Sequence, residues 1–221
     1  MKRQMYQAML LGLLLPITMT PYGVVNQPYA NLQRLQHLCN DYQLPIQGYV
    51  VEGWLKIPHI PGMEFFLQEK MKLSAGNHHV ELSDGGILNT SLHKQNKTWY
   101  IELQCITTNE IDAMSYYVAW QQFSDQYCNK TPIGITVITS IQERLEEPAG
   151  RLLMGELAYS LGIQVSSETV TDQYIQLSGK SKQLHHNLNV NGEPINASIM
   201  LMPEQDCTNL YIATPVIYQQ I

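Results

Sequence analysis

Apolar residues in this chain recur with two spacings, and blocks of one spacing alternate with blocks of the other. Leu32, Leu35, Leu38 and Cys39 are three or four positions apart, which predicts an amphipathic helix. Pro45 predicts the end of that helix, because proline disrupts helical hydrogen bonding.

Two later segments show the same helical spacing and carry recognisable end signals. The segment 109–125 begins with Asn109, whose side chain is typical of helix caps, followed by acidic residues in the first turn. The segment 146–163 has Pro148 near its start and Gly162 at its end. The chain therefore has three predicted helices.

Most of the remaining chain alternates apolar and polar residues, which predicts strands. The run at 46–57 is a long predicted strand, with an irregularity at Gly53 that groups Trp54 with the core-facing residues. The run at 63–73 fits a strand only weakly. The other predicted strands are 78–82, 87–92, 98–106, 132–145, 164–170, 173–179, 184–190, 194–202 and 209–217.

Two turn signals indicate how these strands pair. Asp84-Gly85-Gly86 and Asn191-Gly192 each lie between alternating runs, which predicts β-hairpins. Successive strands with three helices among them favour an α+β fold with a largely antiparallel sheet. We expect a single domain over 30–221, made of two comparable halves at about 30–128 and 129–221.

The N-terminus has the pattern of an export signal. Lys2 and Arg3 precede an apolar run from Ala8 to Met19, which is too short for a transmembrane helix but fits a signal peptide. A buried core helix is the alternative. The predicted signal or anchor spans 1–23, with an end that could extend to 30, and places the protein outside the cytoplasm, either secreted or anchored at the cell envelope.

The charge of the chain argues against polyanionic partners. Its 13 basic and 19 acidic residues give a formal net charge of −6, without a clustered basic patch. Nucleic acid and anionic membrane surfaces both select clustered lysine and arginine. We expect neither as a partner, and we expect membrane attachment only through the N-terminal segment if it stays uncleaved.

The four cysteines are candidates for disulfides. Cys39, Cys105, Cys128 and Cys207 lack the spacing of a zinc or thioredoxin motif, and an even number suits two bridges in an exported chain. Three pairings are open, and buried free thiols are the alternative.

No set of residues carries a catalytic or metal-site signature, and no cofactor is expected. The pairs His78-His79 and His185-His186 fall in predicted strands, where adjacent side chains point to opposite faces and cannot chelate one metal together. The acidic group at 143–147 is explained by the start of the helix that follows it. Two scattered acids, Glu102 and Glu156, are the residues a hydrolase would use.

Thirteen tyrosines against three phenylalanines give the chain amphipathic aromatic surface. Trp99, Tyr100 and Tyr174 lie in predicted strands and are the candidates for aromatics that face a ligand.

The order of predicted elements resembles the YwmB-type secreted family of Gram-positive bacteria, described as having a TATA-box-binding-protein-like fold. The resemblance covers about residues 30 to 221. Locally, the resemblance is based on the stretches RLLMGELAYSLGI, YIQLSGKS, INASIMLM and IATPVI. The family tends to end on a Gly-Thr-Pro-like strand, where this chain has Ala213 before Thr214-Pro215.

This resemblance implies a saddle-like curved sheet of two related halves with helices on one side, the convex one. The family has no established biochemical activity. From the residues and the resemblance together, we expect an exported, non-enzymatic cell-envelope domain that binds a protein, peptide or wall component. A cell-wall-modifying hydrolase is the alternative.

Overall fold

A computed structural model describes residues 26–57, 76–82, 85–96, 98–128, 131–185 and 187–215. The predicted export segment at 1–23 and the weak strand at 63–73 lie outside these residues. None of the helices in the described ranges is both long and apolar enough to cross a membrane.

Within the described ranges, three helices occur where the spacing predicts them. They are α1 (Asn26–Asp41), α2 (Glu110–Tyr127) and α3 (Glu147–Ser160). Asn109 caps α2 as expected, since its side chain accepts hydrogen bonds from the backbone of Ile111 and Asp112. After α3, Gly162 takes the left-handed conformation (φ +61°) that favours glycine at a helix end.

Eleven strands occur in the described residues, at β1 (Ile46–Ile57), β2 (Gly76–Glu81), β3 (Ile87–Gln95), β4 (Thr98–Thr107), β5 (Gly134–Ile141), β6 (Ile163–Val170), β7 (Ile175–Ser181), β8 (Leu188–Val190), β9 (Glu193–Ile195), β10 (Ala197–Pro203) and β11 (Thr208–Thr214). Nine of them form one antiparallel sheet in the order β2-β3-β4-β1-β5-β11-β10-β7-β6, while β8 and β9 form a separate hairpin. The prediction of an α+β fold with a largely antiparallel sheet is confirmed, as are both predicted hairpins.

The strand order follows one rule in both halves. The first strand of each half, β1 or β5, lies near the centre of the whole sheet, where these two strands pair with each other. On its other side, each pairs with the last strand of its own half, β1 with β4 and β5 with β11. From there to the sheet edge, the strands follow in reverse chain order. One continuous sheet therefore runs through the whole described domain.

All three helices pack on the same face of this sheet. Gln36 of α1 donates a hydrogen bond to the Tyr49 hydroxyl of β1, and Gln121 of α2 accepts one from the backbone of Ile133 at 2.9 Å. Gly150 of α3 lies against Leu201 of β10. The core between helices and sheet is apolar, with Leu32, Tyr117, Met154, Leu103 and Ile199 among its buried residues.

The other face, here called the polar face, consists of the side chains that point away from the helices. Cross-strand neighbours share a face, so the register identifies its members across the first half of the sheet. Its polar and aromatic members include Glu52, Trp54, Lys56, His79, Asn89, Ser91, His93, Tyr100, Glu102 and Gln104, and its apolar members include Val50, Ile87 and Ile106.

The predicted irregularity at Gly53 is wrong. The register runs without a break from Tyr49 to Ile57, and the shift in β1 lies between Ile46 and Gly48. Gly53 has a packing role instead, since a Cβ at this position would lie 2.5 Å from Cδ1 of Ile133. Because alternation continues through Gly53, Trp54 falls on the polar face and not with the core residues.

Candidate functional site

The polar face of the first half contains a row of four polar side chains, one from each strand. The register sets Glu52 of β1 opposite Gln104 of β4, Gln104 opposite Asn89 of β3, and Asn89 opposite His79 of β2. His79 Nδ1 lies 2.7 Å from Asn89 Oδ1, and Asn89 Nδ2 donates to Gln104 Oε1 at 2.9 Å. The row therefore runs from an exposed histidine on the edge strand β2 to a carboxylate on β1, near the centre of the whole sheet.

The hydrogen bonds in this row fix the orientation of each group. Asn89 donates to Gln104 through its amide nitrogen, so its oxygen accepts a hydrogen bond from His79, whose Nδ1 carries the hydrogen. The register places Gln104 opposite Glu52 on the next strand. Glu52 is only 4 % exposed. A buried carboxylate is compatible with folding where donors surround it.

Aromatic rings lie next to this row. Trp54 is 56 % exposed, which is unusual for a residue of its size on a central strand. Tyr100 and His93 are cross-strand neighbours whose rings stack with centroids 5.2 Å apart and planes 9° from parallel. Trp54 is diagonal to Tyr100 across β1 and β4, a separation of roughly 7–8 Å that aromatic side chains can bridge.

The three aromatic residues that the sequence predicts to face a ligand lie in different parts of the structure. Tyr100 lies on the polar face and is half-buried. Trp99 is 4 % exposed and belongs to the core, with Lys94 Nζ 5.0 Å from its ring centroid. Its core position means that Trp99 does not face a ligand on the polar face. Tyr174 precedes β7 in a turn closed by Thr171.

Sequence reasoning missed Trp54, and the signal that locates it is the alternation of β1. Tyr49, Val51, Leu55 and Ile57 are all buried and all at odd positions. Trp54 is at an even position and therefore points to the opposite face.

In the second half, the polar face carries serine, glutamine and tyrosine side chains on neighbouring strands. Ser178 and Ser198 have their hydroxyl oxygens 3.0 Å apart, and Gln176 donates to Ser198 at 3.0 Å. Tyr211 lies on the same face opposite Met200. Burial, and to a lesser degree the charge of Glu204, raises the pKa of Tyr211.

The scattered glutamates nominated for a hydrolase are not brought together. Glu102 lies on the polar face of β4, whereas Glu156 is an exposed residue of α3, on the opposite side of the sheet. The carboxylate that register brings near Glu102 is Glu52, diagonal to it on β1.

One histidine pair lies in a strand as predicted, and the other does not. His79 lies in β2, but His185 follows β7 in a loop and not in a strand, and His186 is outside the described residues. The backbone of His185 is held by Asn31, which accepts from its N–H at 2.9 Å and donates to its carbonyl at 3.1 Å. Within the described part of the chain, no three His, Cys, Asp or Glu residues are grouped as metal ligands.

The expected disulfides are absent: none of the four cysteines, each within the described ranges, forms a disulfide bond. They lie on four different elements, in α1, in β4, after α2 and in the β10–β11 turn. Cys39, Cys105 and Cys128 are buried in the core as small apolar side chains. Burial raises the pKa of Cys39 and of Cys128 to about 12, so neither forms the reactive thiolate at neutral pH.

Comparison with known proteins does not place the chain in a family. No protein-family model matches it, and no curated protein matches it. Among solved structures, it is similar to DynU16, a protein of the dynemicin biosynthetic locus, with a TM-score of 0.19 and 6% identity. That alignment covers 77% of this chain and 87% of the other. A TM-score this low supports no statement about a shared fold or function.

Proposed function

We propose that this protein is an exported, non-enzymatic binding domain of the cell envelope, and that its ligand lies on the polar face of the first half. The ligand class is a neutral, hydrogen-bonding polymer of the envelope, either a peptide or a wall glycan. One observation carries the proposal: an exposed tryptophan and a stacked Tyr100–His93 pair lie beside an ordered row of amide, imidazole and carboxylate groups.

This combination suits a neutral polymer for two physical reasons. Aromatic rings contribute apolar contact to sugar rings and peptide side chains. Amide and carboxylate groups on neighbouring strands add hydrogen bonds at regular spacing along an extended ligand. The net charge of −6 repels nucleic acid and other polyanions, so they are left out of the proposed ligand class.

The strand order also supports a proposal about architecture. In both halves the first strand pairs with the last, and the two halves meet through their first strands. This repeated arrangement suits the two-fold saddle of the TATA-box-binding-protein-like fold. Membership of the YwmB-type family is proposed on the same basis and on the stretches quoted above. Export rests on the N-terminal pattern at 1–23.

The test is co-sedimentation of the purified protein with isolated Gram-positive cell walls and, separately, with envelope membranes. The double variant Trp54→Ala/Tyr100→Ala is expected to bind about tenfold more weakly, since aromatic anchors dominate binding energy. The matched control is Ile111→Ala, which removes an exposed apolar side chain on α2, on the far side of the sheet. Equal binding by all three proteins, or by none, would contradict the proposal.

A second candidate function, a wall hydrolase, is favoured by one observation. Glu52 and Glu102 are diagonal neighbours on the polar face, so their backbone positions are roughly 7–8 Å apart. Two carboxyl groups therefore lie on adjacent strands, and glycoside cleavage requires such a pair. Release of soluble fragments from labelled walls tests it. Loss of release in Glu102→Gln, with wall binding retained, would favour the enzyme over the binding domain.

A further inference from the structure

The outer surface of α3 carries two large apolar side chains that face solvent. Leu152 is 67 % exposed and Tyr159 is 86 % exposed, one turn before and one turn after Gly155. A Cβ added at Gly155 would meet no atom within 4 Å, so the helix surface is open at this point. The result is a depression with an apolar side chain at each end.

This depression adjoins a second one, and Tyr42 lines both. The first, of about 340 Å³, is lined by Tyr42, Arg151, Leu152, Gly155, Glu156 and Tyr159. The second, of about 510 Å³, lies between α3 and the segments before β1 and after β5, with Leu44, Ile141, Glu143, Leu145 and Leu153 among its lining residues. Together they form what we call the α3 groove.

Tyr42 has a fixed position between the two depressions. Its hydroxyl lies 2.8 Å from the Ser160 hydroxyl at the end of α3, which ties the segment after α1 to this helix. Both depressions are open to solvent along their length, which suits a segment lying on the surface rather than an enclosed small molecule.

The charges in the groove are mainly negative. Its ionisable lining residues are Glu143, Glu156 and Arg151, and the Arg151 guanidinium is already paired with Glu147, at 2.9 Å, and with Glu168. Neither Glu143 nor Glu156 forms an ion pair with any described residue. An occupant of complementary charge is therefore cationic.

We propose that the α3 groove binds a short basic amphipathic segment of a partner protein. The apolar side chains of that segment lie over Gly155, between Leu152 and Tyr159, and its lysine or arginine side chains approach Glu143 and Glu156. A second copy of this chain is a poorer occupant, because a two-fold contact would bring identical acidic surfaces together. The groove is on the helix side of the sheet, so it is separate from the polar face.

The probe is a fluorescein-labelled 14-residue peptide of leucine and lysine in amphipathic helical order, titrated with the full chain and followed by fluorescence anisotropy. Two variants test the groove. Gly155→Gln fills the depression without touching the core, and Glu156→Lys reverses one of the two unpaired charges. Each is expected to lower affinity about tenfold. Circular dichroism checks that both variants keep the fold.

The matched control is Glu193→Lys, an exposed acid of β9 whose replacement changes the net charge by the same amount. It is expected to leave affinity within about twofold. Weakening equal to that of Glu156→Lys would show nonspecific attraction to an acidic protein and overturn the proposal. Equally tight binding of a leucine–glutamate peptide, or no binding of the leucine–lysine peptide, would also overturn it.

Analytical ultracentrifugation of the chain alone measures its oligomeric state and tests whether a second copy of the chain occupies the α3 groove. A monomer supports the proposal, whereas a dimer that Gly155→Gln dissociates would assign the groove to self-association and overturn it.

Discussion

The two halves of the sheet follow the same path but use their polar side chains differently. On the polar face of the first half, His79, Asn89 and Gln104 bond to one another across the strands. In the second half, the buried side chain of Asn196 bonds to backbone instead. Asn196 accepts from the backbone of Ser181 at 2.6 Å and donates to the carbonyls of Ser181 and Leu184, both at 2.8 Å.

This difference separates groups that hold the fold from groups that remain available to a ligand. A side chain that satisfies buried backbone groups cannot be released without leaving them unpaired. A half-buried row of side chains can exchange partners with water or with a ligand at little cost. On the polar face of the second half, Ser178 and Ser198 are buried, whereas Trp54 and His79 are exposed on that of the first half. The first half is therefore the better candidate for a binding surface on the polar face.

Thiol labelling gives the largest contrast between the halves. Cys39, Cys105 and Cys128 are buried in the first half, while Cys207 is half-buried in a turn of the second half. At pH 8, an alkylating agent is expected to label Cys207 at least about a hundredfold faster than the other three, because only opening of the core exposes those. Mass spectrometry over time measures the labelling.

The same experiment tests the disulfides expected from the sequence. In denaturant without reductant, the structure predicts four labelled cysteines. Two bridges would leave none, and the free-thiol assignment would then be incorrect.

Burial of these thiols also sets a dependence on pH. The pKa of Cys39 and of Cys128 rises from 9.0 to about 12 on folding, and that of Tyr117 from 10.0 to about 12. Well below pH 9 these groups are protonated in both the folded and the unfolded state, so their contribution to the free energy of unfolding is fully present. Between pH 9 and 12 the unfolded state loses protons first, so the free energy of unfolding falls. Denaturant unfolding at pH 8 and pH 10.5 measures this decrease.

Replacing one asparagine in each half gives a smaller contrast. Asn196→Ala removes three hydrogen bonds from buried backbone groups, and we expect a loss of about 3 kcal/mol in the free energy of unfolding. Asn89→Ala, on the half-buried row, is expected to cost less than about 1 kcal/mol and to weaken wall binding. Urea titration of both variants measures the difference.

Equal losses in the two variants would mean that the row on the first half is as structural as Asn196. That outcome would remove the distinction between the halves.

Local signals in the sequence were sufficient for most elements of the fold. Asn109 and Gly162 mark helix ends through their own backbone and side-chain preferences. At the second hairpin, Asn191 and Gly192 take the positive φ angles, +53° and +91°, that their residue types tolerate. Each of these signals acts within a few residues, so it can be interpreted without knowledge of the tertiary structure.

Gly53 shows what a local signal does not contain. Glycine in a strand indicates either a bulge or a close approach, and the sequence does not distinguish them. Here the approaching group is Ile133, 80 positions further along the chain and beside β1 only because β1 and β5 pair. The incorrect prediction of an irregularity at Gly53 moved Trp54 to the core side and hid an exposed aromatic of the polar face.

The α3 groove could not be predicted for a related reason. The spacing of α3 locates its buried side, but the sequence does not show that Leu152 and Tyr159 are uncovered or that Tyr42 lies beside them. Those facts depend on how α1 and the sheet surround the helix. The acids at 143–147 illustrate the same limit: Glu147 lies in the first turn of α3 as expected, whereas Glu143 lines the groove.

Gly155→Ala gives the smallest effect and separates stability from binding in the second half. Alanine favours a helix over glycine by up to about 1 kcal/mol, and a Cβ at this position meets no atom within 4 Å. We expect the free energy of unfolding to rise by about 0.5–1 kcal/mol in urea titration. A methyl group only partly fills the depression, so the leucine–lysine peptide should bind less than threefold more weakly. A loss of stability would show that the outer surface of α3 is packed in solution, which would leave the α3 groove without room for a partner.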